Sequence, residues 1–209
     1  MSNKKGNQGF IFNYLQKKIA KTNLSSSAKQ NLLITLDLII NVIGVIILVI
    51  IIRTFIMTPF QVSGISMCNT LNYHNGTCHE GNGDYIIINK IPYLHFGSWV
   101  NGTPQRGDVI VFKPPQYNNE FYIKRVIGLP GDTIKLIDGY VYIFNKNFPN
   151  GVKLNEPYLN KTNQGNTMPL GGISDFKVPA HHYFVLGDNR SASLDSRSFG
   201  PVPRRLIVG

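Results

Sequence analysis

Residues 32–52 read LLITLDLIINVIGVIILVIII, 21 positions with polar side chains only at Thr35, Asp37 and Asn41. No other feature constrains the chain so strongly. A helix needs about 20 mostly apolar residues to cross the hydrocarbon of a bilayer. A helix buried in a soluble core would instead show a polar face at the 3.6-residue period. From Val42 to Ile52 only Gly44 breaks the aliphatic run, so no such face exists there. The segment therefore reads as a membrane anchor. Asp37 and Asn41 stand four apart near its basic end and are expected at the interface. Arg53, at the other end, can snorkel to head groups. Thr58-Pro59 is expected to stop the helix, because a residue before proline disfavours the α region.

The charge distribution agrees. The net charge is +10, and Lys4, Lys5, Lys17, Lys18, Lys21 and Lys29 all precede the first acid, Asp37. A nucleic-acid-binding protein carries its excess charge on the folded body. Here most of it sits in a tail ahead of an apolar run, which points to a lipid bilayer and away from nucleic acid. A cleaved leader would have an apolar region of about 7–15 residues and an A-x-A-like site; neither is present. The positive-inside rule puts the lysine-flanked end in the cytoplasm and the chain after about residue 58 on the far side.

Beyond the anchor the pattern changes to short β-rich runs: 85–88, 108–112, 122–127, 133–136, 140–144 and 182–186. Gly and Pro punctuate them, as expected of strands and turns. Asp138-Gly139 between two such runs predicts a tight hairpin. No long helical pattern and no internal repeat follow. Residues 145–178 read as long loops.

Three segments have the residue types for chemistry. Pro59-Phe60-Gln61-Val62-Ser63-Gly64-Ile65-Ser66-Met67-Cys68-Asn69-Thr70-Leu71 follows the anchor. Tyr122-Ile123-Lys124-Arg125-Val126-Ile127-Gly128-Leu129-Pro130-Gly131-Asp132 lies mid-chain, and Gly187-Asp188-Asn189-Arg190 leads into Ser193, Asp195 and Arg197. Singly, each has a plain explanation: a turn serine, a solvent-facing strand lysine, an Asx-rich loop held by Asp–Arg pairs. The five histidines lie outside all three segments, and Gly64-Ile65-Ser66-Met67-Cys68 is not a G-x-S-x-G elbow, so a Ser-His-Asp triad is disfavoured.

Together, in this order after an anchor, these segments closely resemble the bacterial type I signal peptidases, membrane-bound Ser/Lys endopeptidases that remove signal peptides. The family patterns are S-M-x-P-T-L, R-G-D-[VI]-[VI]-V-F, [YF]-[IV]-K-R-[VI]-[IV]-G-L-P-G-D and G-D-N-R-x-x-S-x-D-S-R. The resemblance covers about residues 38–208. Arg53-Thr54-Phe55 and Gly64 look like the Gram-positive branch. It implies a mostly β protein: an antiparallel β-sheet catalytic core with a small β insertion, preceded by one transmembrane helix. The boundaries expected are a cytoplasmic tail at 1–31, an anchor at 32–57, core at 58–132 and 183–209, and the insertion at 133–182.

The resemblance also implies roles. Ser66 would be the nucleophile and Lys124 its base. Ser193 would hydrogen-bond the Lys124 amine, and Asp195 would pair with Arg197 to hold that loop, with Asp188 supporting it. Gly187 and Asn189 would shape the turn. Arg125, next to Lys124, is sent to the opposite face by strand alternation. The Ser66 N–H would bind the oxyanion. Phe60, Val62, Met67, Leu71, Tyr122 and Ile123 would line the substrate pockets. No metal or organic cofactor is implied. The partners implied are signal-peptide-bearing preproteins and the bilayer. A LexA-like self-cleaving repressor is disfavoured by the anchor and the lack of a DNA-binding motif. A catalytically weak or inactive tethered adaptor of the same fold is the remaining alternative.

Two departures stand out. Asn69 occupies the proline position of S-M-x-P-T-L and is expected to loosen that turn. The stretch from Cys68 to Asp84, with His74, Cys78 and His79, looks like an insertion. The cysteines are expected as free thiols; a disulfide is the first alternative. A metal site is the second, although the spacing matches no standard zinc pattern.

Overall fold

The computed structural model describes residues 10–81, 83–93, 102–115 and 120–209. The chain divides after Thr54 into two units. The first is helical. Helix α1 (Phe10–Ala20) falls within the expected tail and was not anticipated. Ile19 is its buried contact. Lys17 and Lys18 occupy its last turn, where cations complement the helix dipole. Helix α2 (Ser26–Ile51) starts six residues before the apolar run, because Ser25 caps it by accepting from Ala28 N at 3.3 Å. A π-helical turn continues through Ile56. Among the described residues, Ser26–Ile56 is the one helix long and apolar enough to cross a membrane. Two of its polar side chains bond the helix's own carbonyls: Thr35 Oγ1 to Asn31 O and Asn41 Nδ2 to Asp37 O, both 2.9 Å. That removes most of the cost of placing them in lipid.

The second unit is antiparallel β throughout its named pairings. Strand β1 (Met57–Gln61) follows the helix directly, so Pro59 lies inside a strand rather than in a plain helix stop. A small hairpin, β2 (Tyr73–His74) with β3 (Thr77–Cys78), comes next. Strand β4 (Tyr85–Asn89) returns along β1, pairing Met57 with Asn89 and Gln61 with Tyr85. Strands β5 (Val109–Phe112) and β6 (Tyr122–Gly128) pair in turn. Then β7 (Thr133–Ile137), β8 (Tyr140–Phe144), β9 (Val152–Lys153) and β10 (Asp175–Lys177) form a sheet ordered β10-β7-β8-β9. Strand β11 (His182–Leu186) and, after the single-turn helix α3 (Ser196–Phe199), β12 (Val202–Pro203) complete a second sheet, β12-β11-β6-β5.

Asp138 and Gly139 both have positive φ, 50° and 78°, as the mirror-image hairpin turn between β7 and β8 requires. Two apolar clusters fill the body. One joins Ile110, Phe112, Val126, Tyr183, Val185, Val202 and Ile207. The other runs between the sheets, from Ile127, Phe184 and Leu186 to Ile134, Val141 and Ile143. Strand β6 feeds both, because Val126 and Ile127 point to opposite faces.

Candidate active site

Lys124 lies mid-strand in β6, opposite Ile110 of β5, on the same face as Val126. Its side chain is 4% exposed. Nζ lies 2.6 Å from Ser66 Oγ and donates to Ile123 O at 2.9 Å. Burial pushes its pKa from 10.5 down to about 8, against the opposing pull of Asp195 and Asp188. Desolvation destabilises the ammonium more than those carboxylates restore it. An amine so placed is neutral in about one molecule in ten at pH 7 and can take the proton of the adjacent hydroxyl. Both groups open into a cleft of about 530 Å³, whose walls include Phe60 and Val62 on one side and Tyr122 and Ile123 on the other.

Residues distant in sequence hold Ser66 in place. Asn189 N donates to Ser66 O at 3.0 Å, and Asn189 Nδ2 to Ile65 O at 3.2 Å. Sequence reasoning gave Asn189 only a turn-shaping role; its grip on the Ser66 peptide has no local signature. Gly187 lies so close that a Cβ on it would overlap Ser193 Oγ and the Ser66 carbonyl. Asp188 is buried and bonded to Thr70 Oγ1, in the turn after Ser66. It also receives Arg125 Nε at 2.9 Å and Nη2 at 2.6 Å. Arg125 does face away from Lys124, and it stacks over the Tyr158 ring at 4.1 Å. Asp195 and Arg197 form the expected pair, at 2.8 and 2.9 Å, and Asp195 also accepts from Gly187 N at 3.1 Å. Arg190, 2% exposed, pairs with Glu156 and bonds Thr167, linking this loop to the excursion after β9.

Residues 35–209 match the family described as signal peptidase, peptidase S26. The chain is 34% identical over 198 residues to a signal peptidase I of Pseudomonas aeruginosa, an alignment spanning 79% of this chain and 66% of that protein. It is 33% identical to signal peptidase IB of Staphylococcus aureus, over 83% of this chain and 85% of that one. A solved signal peptidase I from Enterococcus faecalis is 38% identical, covering 51% of this chain and 95% of that one, with a TM-score of 0.41. The chain belongs to the signal peptidase I family. It is a serine endopeptidase of that type.

In this signal peptidase family member several details differ from expectation. Ser193 does not bond the Lys124 amine; its Oγ is buried with no protein partner. The amine turns instead to Ser66 and its neighbour's carbonyl. Met67 is fully buried and is not among the walls of the Ser66 cleft, since the turn that begins at Ser66 carries it into the core. Leu71 lines a second cavity of about 450 Å³, not the cleft of Ser66. Asn69 adopts φ 82°, which proline's ring forbids, and its turn is closed by Thr70 N and Leu71 N, both bonded to Met67 O.

The largest correction concerns the cysteines. Cys68 and Cys78 form a disulfide, with Cα atoms 5.7 Å apart. The free thiols expected do not occur, and the metal alternative loses both thiolate ligands. Tight turns on either side bring the two sulfurs together: the turn after Ser66 buries Cys68, and the β2–β3 hairpin returns Cys78 to it. Mass spectrometry of protein alkylated without reduction should show neither cysteine modified, and both modified after reduction. Two alkylated cysteines in the unreduced protein would contradict the bridge.

Proposed function

We propose that Ser66 and Lys124 carry out the hydrolysis of signal peptides by this enzyme. The observation that supports this most directly is the desolvated amine 2.6 Å from the serine oxygen. The neutral Lys124 amine takes the Ser66 proton as Oγ attacks the carbonyl at the end of the signal peptide. The Ser66 N–H stabilises the oxyanion that develops. The tetrahedral species collapses, Lys124 gives its proton to the leaving amine, and the signal peptide remains as an ester on Ser66. Water, deprotonated by the same amine, then hydrolyses the ester and restores the hydroxyl. Asp188, Asp195 and Arg197 hold the loop that carries Asn189 against the Ser66 peptide.

The substrate is an exported preprotein, bound as an extended strand between residues 60–64 and the start of β6. Backbone pairing gives affinity, and pockets for alternate side chains give specificity. The positions one and three before the cut share a face toward Phe60, Val62, Tyr122 and Ile123, whose bulk leaves room for methyl-sized groups. The second position faces away. Residues 32–57 anchor the enzyme in the bilayer with residues 1–31 in the cytoplasm and the catalytic body outside. Within that body, 133–182 is an insertion between core segments 58–132 and 183–209.

A preprotein series varied at those positions tests this reading. Alanine at both should be cut well, and leucine or phenylalanine at the first should lower kcat/KM by about 100-fold or more, since overpacking a fixed pocket costs a few kcal/mol. Efficient cleavage after Leu or Phe would sink the pocket assignment even with Ser66 and Lys124 essential.

A further inference from the structure

The chemistry above makes no use of the stretch between the Ser66 turn and β4. Yet Asn72, in the middle of it, has no exposed surface and uses its whole side chain on the wall of the cleft. Its Nδ2 donates to Val62 O at 3.1 Å and to Gly64 O at 3.0 Å. Its Oδ1 accepts from Asp84 N, and its own N donates to Asp84 Oδ2, each at 2.7 Å. Asp84 O accepts in turn from Val62 N at 2.9 Å. Two N–H donors and one carbonyl are all the side chain offers strongly, and every one is engaged. Val62 and Gly64 are the residues that lead into Ser66 along the cleft.

The base of this clasp is fixed as well. Asn72 sits at φ 59°, a conformation asparagine tolerates better than most residues. His79 N bonds its carbonyl at 2.9 Å. The Cys68–Cys78 disulfide closes the loop around it, and His74 pairs with Asp84 at 2.9 Å. Gly83 lies against the amide so closely that any Cβ there would overlap it.

We propose that Asn72 is a positioning residue for the substrate strand. A strand added between two walls needs each neighbour about 4.8 Å away for its backbone to pair on both sides. Asn72 sets that spacing by tying the 62–64 segment back onto residue 84, and the disulfide keeps Asn72 from yielding. The inference rests on the reading of the cleft as the groove for an extended substrate.

Asn72→Asp is the informative variant. It keeps the size and the acceptor for Asp84 N but presents a carboxylate to two carbonyls. Gly83→Ala presses on the same amide from outside and repeats the test where Asn72→Asp does not fold. Each full-length variant is compared with the parent for kcat and KM on a preprotein, for the bonds cut, and for labelling of Ser66 by a small fluorophosphonate that needs no groove. The expected result is a KM raised 10-fold or more and cleavage spreading to neighbouring bonds, with labelling within three-fold. Unchanged KM and unchanged cut sites in a folded variant overturn the inference. So does a parallel fall in turnover and labelling with the same KM and the same cut site, which marks a merely structural role. A parent that is not labelled, together with a Ser66→Ala variant that still cleaves, overturns the Ser66 reading itself and this inference with it.

Discussion

Lys124→Met is expected to abolish signal-peptide cleavage and, at neutral pH, to make the catalytic body more stable. Methionine matches the length of the lysine stem but supplies no base, so the loss should reach the limit of detection, at least about 10⁴-fold. The stability gain follows from linkage. In the folded protein the Lys124 pKa is about 8, below the 10.5 of the unfolded chain. Between those values the unfolded state binds more protons, so this group's contribution to stability rises with pH from 8 to 10.5. Below pH 8 the buried ammonium imposes its full cost, about 3 kcal/mol from a shift of this size. Methionine removes that cost and loses the bonds to Ser66 and Ile123, for a net gain of about 1–3 kcal/mol at pH 7 that vanishes above pH 10.5. Denaturation of the full chain in detergent at pH 7 and pH 10.5 reads this directly. The parent's kcat/KM should rise about tenfold per pH unit below 8 and level off above it. A variant that is less stable at pH 7, or a parent profile flat from pH 6 to 9, is incompatible with a desolvated lysine base.

Gly187→Ala is the second large effect. The residue contacts nothing that reacts, yet a methyl group there would occupy the space of Ser193 Oγ and the Ser66 carbonyl. Gly187 N is tied to Asp195 and its carbonyl to Arg190 Nε at 3.0 Å, so the β11 end cannot retreat freely. Ser193 Oγ is a side-chain end that can rotate, but the Ser66 carbonyl is backbone and has to shift as a peptide. A displacement near 1 Å at the nucleophile costs about 100-fold in rate, and the overpacking costs about 1–3 kcal/mol of stability. Steady-state kcat per folded molecule measures the first separately from the second. A kcat within three-fold of the parent means the Ser66 peptide has room that the structure denies it.

What was legible in the sequence was what is local and periodic. The runs 140–144 and 182–186 coincide with β8 and β11, and Asp138-Gly139 turns as its dipeptide requires. Strand β1 was hidden because Pro59 reads as a helix stop and the apolar residues before it carry no change of period. Helix α1 was hidden in a lysine-rich tail too short for a clear repeat. The hairpin at Asn75-Gly76 did have a signal, both residues at positive φ, but two-residue strands give no alternation to flank it. The contacts that build the site were the least legible. Asn189 to Ser66, Arg125 to Asp188 and Glu156 to Arg190 join residues 34 to 123 positions apart, and no local rule selects such pairs. The disulfide ranks only as an alternative in the sequence for a similar reason: two cysteines ten apart in a loop do not say whether the loop returns on itself.

The apolar cluster between the two four-stranded sheets determines how the body comes apart. Ile127, Phe184 and Leu186 belong to the strands that carry Lys124 and lead to Gly187, while Ile134, Val141, Ile143 and Phe176 belong to the other sheet. The two sets pack within one buried cluster, which Leu136 and Val178 complete, so exposing one exposes the other. Heat or denaturant therefore meets a single cooperative transition across residues 109–186, with no stage at which the outer sheet has melted and the Ser66–Lys124 pair survives. Amide hydrogens of β7 and β8 should exchange with the same opening free energy as those of β6 and β11, far as they are from the chemistry.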